Sequence, residues 1–151
     1  LAYHHHMGTV IETQEDTERL MEDTHDSVKL TLDTGHMLFA KGDSKKIFEN
    51  YNSRIKHVHC KDIRKNVLEK SLKEDLSFRE AFLEGAFTVP GDGCIDYKPL
   101  FDILKKNKYS GWLVVEAEQD PQKANPLEYA IKGYKYLTET LKKSNIEIDT
   151  K

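Results

Sequence analysis

Four short runs rich in apolar and β-branched residues punctuate this chain, with segments of helical periodicity between them. The runs are Leu1–His6, Val28–Asp33, Ile55–Cys60 and Trp112–Glu118. Strands that alternate with helices are expected to pair in parallel through right-handed crossovers. That leaves an open doubly wound sheet or a (β/α)8 barrel. No Gly-rich phosphate loop follows any run, which argues against a dinucleotide or P-loop site. Each run instead ends in side chains able to hold a metal ion: His4 and His6, Asp33, His59, then Glu116 and Glu118. In a barrel the carboxyl ends of all strands converge on one site, so the pattern favours an α/β TIM (β/α)8 barrel. Four strands are half of eight. The chain is therefore expected to be the second half of a barrel, strands five to eight. Residues 1–143 would form that unit, and 144–151 a flexible tail.

Between the runs, Thr13–Met21 opens on a capping pattern from Thr13 to Asp16. Ser44–Tyr51 and Ser77–Leu83 read as short helices, the latter stopped by Gly85. Pro99–Lys106 carries Pro in its first turn. A last helix runs from Asn125-Pro126 to about Lys142, with Leu127, Ala130, Ile131, Tyr134 and Leu137 as its apolar stripe. The segment "FTVPGDGCIDYKPLF", Phe87–Phe101, has turn chemistry at Pro90-Gly91 and Asp92-Gly93. It reads either as an active-site loop or lid, or as a plain connection.

Composition excludes several partners. Charged residues make up 32% of the 151, but the signs are interspersed and the net charge is -3, so no basic stripe marks a nucleic-acid surface. No apolar run approaches the roughly 20 residues of a membrane span. Cys60 and Cys94 do not make a disulfide framework. The expectation is a soluble, cytoplasmic protein acting on a small molecule, with neither nucleic acid nor membrane as partner.

Three segments carry the chemistry. In "LTLDTGH" Asp33 closes a strand, Gly35 permits a tight turn and His36 follows; an N-cap Asp with a turn Gly is the plain alternative. In "IKHVHCKD" His57 and His59 share one strand face, with Lys56, Val58 and Cys60 on the other. Two inward histidines followed by Lys61 and Asp62 are costly in a core unless they have partners. In "GWLVVEAEQD" Glu116 and Glu118 share a face after a run of buried-type residues. Mixed imidazole and carboxylate donors suit Mn²⁺, Co²⁺, Fe²⁺, Mg²⁺ or Zn²⁺. The opening "LAYHHHMGTV" has two readings. It is the scar of a purification tag ahead of a start at Met7, or a strand end whose histidines do chemistry.

"LDTGH", "HVHCKD", "FTVPGDGCIDY" and "GWLVVEAEQDPQKANPLEYA" together resemble the inosose dehydratase family, a branch of the xylose-isomerase-like TIM barrels and the sugar isomerase/epimerase superfamily. The likeness runs from Tyr3 to about Leu141 and implies a protein about twice this length. It places a divalent metal, Mn²⁺ or Co²⁺, on the ends of strands five to eight. Carried over by motif, the ligands are His4, Asp33, His59 and Glu116. Many relatives have Glu at the first position, and here His6 points the same way as His4. The resemblance makes the tag reading poor. It implies loss of water from 2-keto-myo-inositol, with Glu116 or Glu118 as proton acceptor and His36 or Lys61 as proton donor. His6, His36, Lys61, Arg64 and Glu118 would contact the cyclitol or sugar substrate. Glutathione is associated with the family's reaction, though no pattern here encodes a site for it. The alternatives are a metal-dependent sugar isomerase or epimerase on the same platform, or an inactive half-barrel. Such a half-barrel would pair with a second copy, as a homo-oligomer, or with the missing half.

Overall fold

The computed structural model describes residues 1–149. In chain order the elements are β1 (Ala2–His4), α1 (Gln14–Asp23), β2 (Lys29–Asp33), α2 (Thr34–Phe39), α3 (Ser44–Tyr51), β3 (Ile55–Cys60), β4 (Asp62–Ile63), α4 (Lys65–Lys73), α5 (Phe78–Leu83), β5 (Phe87–Thr88), α6 (Tyr97–Lys106), β6 (Trp112–Val115) and α7 (Pro126–Lys143). The four expected strands form one sheet in the order β1-β2-β3-β6, and every pairing is parallel. Among the described residues, β1 and β6 each have one unpaired edge.

Alternation along the central strands divides the two faces. Leu30, Leu32, Val58 and Cys60 are fully buried and pack against Met37, Phe48, Tyr97 and Phe101 of the helical layer. Thr31, Asp33, His57 and His59 occupy the opposite face, and the register sets Asp33 beside His59. Cys60 is the buried small hydrophobe its position suggests; burial pushes its thiol pKa up.

The helix ends follow their capping residues. Thr13 and Asp16 make the reciprocal capping box of α1, Ser77 and Glu80 that of α5, and Asn125 caps α7 with Pro126 in the first turn. Several boundaries differ from the sequence reading. β1 stops at His4 because the chain turns away, with His6 N–H donating to Ile11 O (3.1 Å) and Gly8 at φ 74°. β6 stops at Val115, after which Glu116 N–H reaches Cys60 O only at 3.4 Å. α6 starts at Tyr97, two residues early, because Asp96 caps it. α4 carries no clear signal in the sequence, since Lys65–Lys73 is mostly polar with Val67 and Leu68 as its contacts to the second core cluster. The α7 stripe is the largest departure. Leu127, Ile131 and Tyr134 are 69%, 45% and 58% exposed, while Gly133, Leu137, Thr140 and Leu141 form the buried face.

Gly35 also departs from expectation. It lies inside α2 rather than in a tight turn, because Asp33 caps that helix by accepting from His36 N–H at 2.9 Å. The segment after β5 is a pinned connection. The Asp62 carboxylate, buried beneath it, accepts from Ile63 N–H (2.8 Å), Ile95 N–H (2.9 Å) and Gly91 N–H (3.2 Å). Beyond α7, Ile146 packs on the main core, and residues 150 and 151 of the expected tail lie outside the described residues. No helix is long and apolar enough to cross a membrane among the described residues.

Candidate active site

The carboxyl ends of the four parallel strands each deliver one ligand-type side chain to the same point. His4, Asp33, His59 and Glu116 place donor atoms all within 4.8 Å of one another. His4 Nε2 is 3.1 Å from Asp33 Oδ2, and His59 Nδ1 is 3.5 Å from the same oxygen. His59 Nδ1 and Glu116 Oε2 are 2.8 Å apart. Asp33 divides its carboxylate between two tasks. Oδ1 caps α2, which leaves Oδ2 facing the cluster.

A second group adjoins the first. His6, His36 and Glu118 also bring donor atoms within 4.8 Å of each other. His6 Nδ1–H donates to Met7 O at 2.7 Å, which turns Nε2 toward Glu118 Oε1 at 3.2 Å. Lys61 joins the groups. Its fully buried ammonium lies 2.9 Å from Glu118, 3.2 Å from Glu116, 3.3 Å from Asp33 and 2.8 Å from His36 Nε2. Three features hold it there. The Thr34 hydroxyl bonds both Lys61 N–H (3.1 Å) and Lys61 O (2.8 Å), and Tyr97 OH braces Lys61 O at 3.0 Å. The lysine stem lies across Gly35, where a Cβ would come within 2.7 Å of Lys61 Cγ. Gly35 is thus explained by close approach, not by turn geometry.

The structure separates residues that the sequence leaves equivalent. His4 joins the four-residue group and His6 the second. His59 reaches the cluster, whereas His57 on the same face stacks near Trp112 instead. Arg64 is not brought to the cluster. Its guanidinium donates to Gly85 O (2.7 Å), Thr88 Oγ1 (3.0 Å) and Asp92 Oδ2 (2.7 Å), tying β4 and β5 to the loop that follows. Sequence reasoning missed two aromatic walls and one histidine. Phe87 lies under Lys61 and beside His36, and Phe78 packs edge-on to His6. His5 is fully buried beneath the sheet end. The turn signals around "FTVPGDG" hinted at the first wall; only its position between His4 and His6 marked His5.

The electrostatics follow from this packing. Burial opposes the Asp33 charge, yet His4, His59 and Lys61 outweigh it and hold the carboxyl well below the usual range. Burial opposes the Glu118 charge as well, and His36 and Lys61 bring its pKa down to about 2. Desolvation works against the Lys61 ammonium, but Asp33, Glu116 and Glu118 more than compensate and raise its pKa. Burial lowers His36, leaving a neutral imidazole, and takes His5 down to about 3. Asp33 first and Glu116 second raise His59 to about 9.

The four-residue group fits a divalent cation. His59 Nδ1 and Glu116 Oε2 are buried and close, yet neither is oriented as a hydrogen-bond partner of the other. Around a cation with bonds of about 2.1 Å, neighbouring ligand atoms stand about 3 to 3.4 Å apart, close to the spacings here. The raised His59 pKa sets a pH dependence. An ion needs the neutral imidazole, so below about pH 9 it must displace a proton. Mn²⁺ affinity is expected to rise by about tenfold per pH unit between about pH 6 and 8, with about one proton released. Calorimetric titration in buffers of different ionisation enthalpy reads both; an affinity independent of pH would refute the assignment of His59 as ligand.

Comparisons with known proteins bear on the family and the fold. The family model for the xylose isomerase-like TIM barrel matches residues 1–140. The inosose dehydratase of Clostridium beijerinckii is 54% identical over 140 residues, covering 92% of this chain and 47% of the relative. That of Histophilus somni is 52% identical over 139 residues, with 90% and 47% covered. The chain thus spans about half the length of the curated relatives it matches. Among solved structures, the IOLI protein with a bound zinc atom superposes with a TM-score of 0.68 at 20% identity, over 95% of this chain and 49% of that one. The probable 3-DHS dehydratase AsbF of Bacillus anthracis gives 0.67 at 17%, over 91% and 48%. At these identities the structural likeness bears on the fold alone. Parallel strands in sequence order, one ligand-type residue at each carboxyl end, and a family match over nearly the whole chain lead to one assignment: the chain belongs to the xylose isomerase-like TIM barrel family.

Proposed function

We propose that residues 1–143 supply the metal-binding half of a hydro-lyase that removes water from 2-keto-myo-inositol, leaving a trihydroxycyclohexane dione. The observation that carries this reading is the meeting of His4, Asp33, His59 and Glu116, one from each strand end. Similarity to proteins named inosose dehydratase, at 51–54% identity, supports the substrate class. Four further βα units, closing the barrel against β1 and β6, would also cover the exposed α7 stripe.

His4, Asp33, His59 and Glu116 would hold the ion, and their mixed nitrogen and oxygen donors suit Mn²⁺ or Co²⁺. When bound, a divalent cation supplies Lewis acidity, polarising the substrate carbonyl so that the neighbouring C–H becomes acidic. With Glu116 among the residues that would hold the ion, Glu118, set between Lys61 and His6, would be the carboxylate that takes that proton. Of the two acids, Lys61 is the one that carries a proton at neutral pH, because burial keeps His36 neutral. Lys61 gives its proton to the departing hydroxyl, and water leaves. His6, partly exposed at the rim of the second group, would contact a substrate hydroxyl, while the buried His36 imidazole holds the Lys61 ammonium and Phe78 and Phe87 line that side.

The test uses the complete protein that contains this chain. EDTA is expected to abolish dehydration of scyllo-inosose, and added Mn²⁺ or Co²⁺ to restore it. Unchanged activity after chelation would sink the metal reading. A product isomeric with the substrate, with no water lost, would assign an isomerase instead.

A further inference from the structure

We infer that His5 is a positioning residue: its imidazole splints β1 to β2 at Asp33 and so sets the carboxylate that the cluster shares. This rests on the metal reading above and goes beyond its ligand set. β1 pairs with β2 only through His4, opposite Thr31. Had the ladder continued, Asp33 would have met the backbone two residues further along β1. Instead the chain peels away there so that His6 can enter the site, and the Asp33 N–H is left without a strand partner on that side. His5 Nε2 accepts it at 3.1 Å. A side chain thereby replaces a missing ladder bond, at the one residue whose Oδ2 touches His4, His59 and Lys61.

The hydrogen-bond pattern also fixes the tautomer. Because Nε2 accepts, the proton resides on Nδ1, which is buried with no hydrogen-bond partner among the described residues. An unpartnered interior N–H is destabilising, a penalty that an apolar side chain of similar size would not carry. Packing alone therefore does not account for a histidine at this position. The acceptor at Nε2 does. His5 also sits between His4 and His6, so anchoring it fixes where β1 divides its two flanking histidines between the two groups.

The test compares His5→Leu with His5→Gln, whose side-chain amide can put an acceptor oxygen where Nε2 lies. Two quantities are read on the complete protein: Mn²⁺ affinity by calorimetry, and exchange of the Asp33 amide hydrogen by NMR on metal-free protein. His5→Leu is expected to weaken Mn²⁺ binding about 10- to 100-fold, as outer-shell substitutions do, and to speed Asp33 exchange. His5→Gln is expected to restore both to within about threefold of the parent. Parent-like Mn²⁺ affinity and exchange in His5→Leu would overturn the proposal, as would a folded His5→Gln that loses both. Should His5→Leu fail to fold, Asp33 protection in His5→Gln decides alone, retained in favour and lost against. Failure of the parent itself to bind Mn²⁺ would count against the metal reading, and the exchange measurement would still decide the splint.

Discussion

Asp33→Asn is expected to lower Mn²⁺ affinity by more than about 100-fold, beyond the range seen for outer-shell changes, while leaving the fold in place. The two Asp33 oxygens explain both halves of that result. Oδ1 accepts from His36 N–H and caps α2, and Asn caps a helix about as well as Asp. The cap therefore selects the amide orientation, with its oxygen toward His36. The NH2 group must then occupy the place of Oδ2, 3.1 Å from His4 Nε2 and 3.3 Å from the Lys61 ammonium. A donor stands where a cation needs a lone pair, and it faces an ammonium as well. His59→Ala, which removes a ligand without disturbing a cap, is expected to lose the ion too. Elemental analysis after dialysis against Mn²⁺ checks both variants. Stoichiometric metal in either would rule out this ligand set.

Gly35→Ala is expected to lower kcat by about 100-fold, the scale on which small misplacements of catalytic groups act, although Ala is about 1 kcal/mol the better helix former. The new methyl would lie 2.7, 2.9 and 3.0 Å from Lys61 Cγ, Cδ and Cβ. Those atoms are the near stem of the lysine, so they cannot yield without moving the ammonium. The Lys61 backbone cannot shift either, since Thr34 and Tyr97 hold it. A double-mutant cycle isolates the coupling. In a Lys61→Ala background most of the colliding stem is gone, and Gly35→Ala should then change kcat by less than about threefold. Independent, multiplicative losses would show that Gly35 acts through the helix and not through Lys61. A thermal melt of each variant separates a catalytic loss from an unfolded one.

Much of this architecture is local, and for that reason legible. Strand length and alternation mark the four runs, Thr13 with Asp16 marks the start of α1, and Asn125-Pro126 marks the start of α7. These signals need only neighbours within a turn or a pleat. The short pair β4 and β5 escaped because two residues carry no period. α4 escaped because its charged surface face outnumbers its apolar contacts. The α7 stripe had the right period but the wrong neighbour: periodicity tells that a face is apolar, not what covers it.

By itself the sequence determined four parallel strands in chain order and the residue types at their carboxyl ends, because both follow from short-range spacing. Only the tertiary structure decided among equals on one face. It chose His4 over His6 and His59 over His57 for the four-residue group, set Glu116 opposite His59, and sent Arg64 to a loop. It also gave Gly35 a purpose that turn chemistry does not supply, and found an acceptor's use for His5. These outcomes depend on where each strand stops pairing and on how its end lies against the next. Such quantities are set by contacts between residues some thirty or more positions apart, such as His4 with Asp33 and His6 with Glu118, and no local pattern contains them.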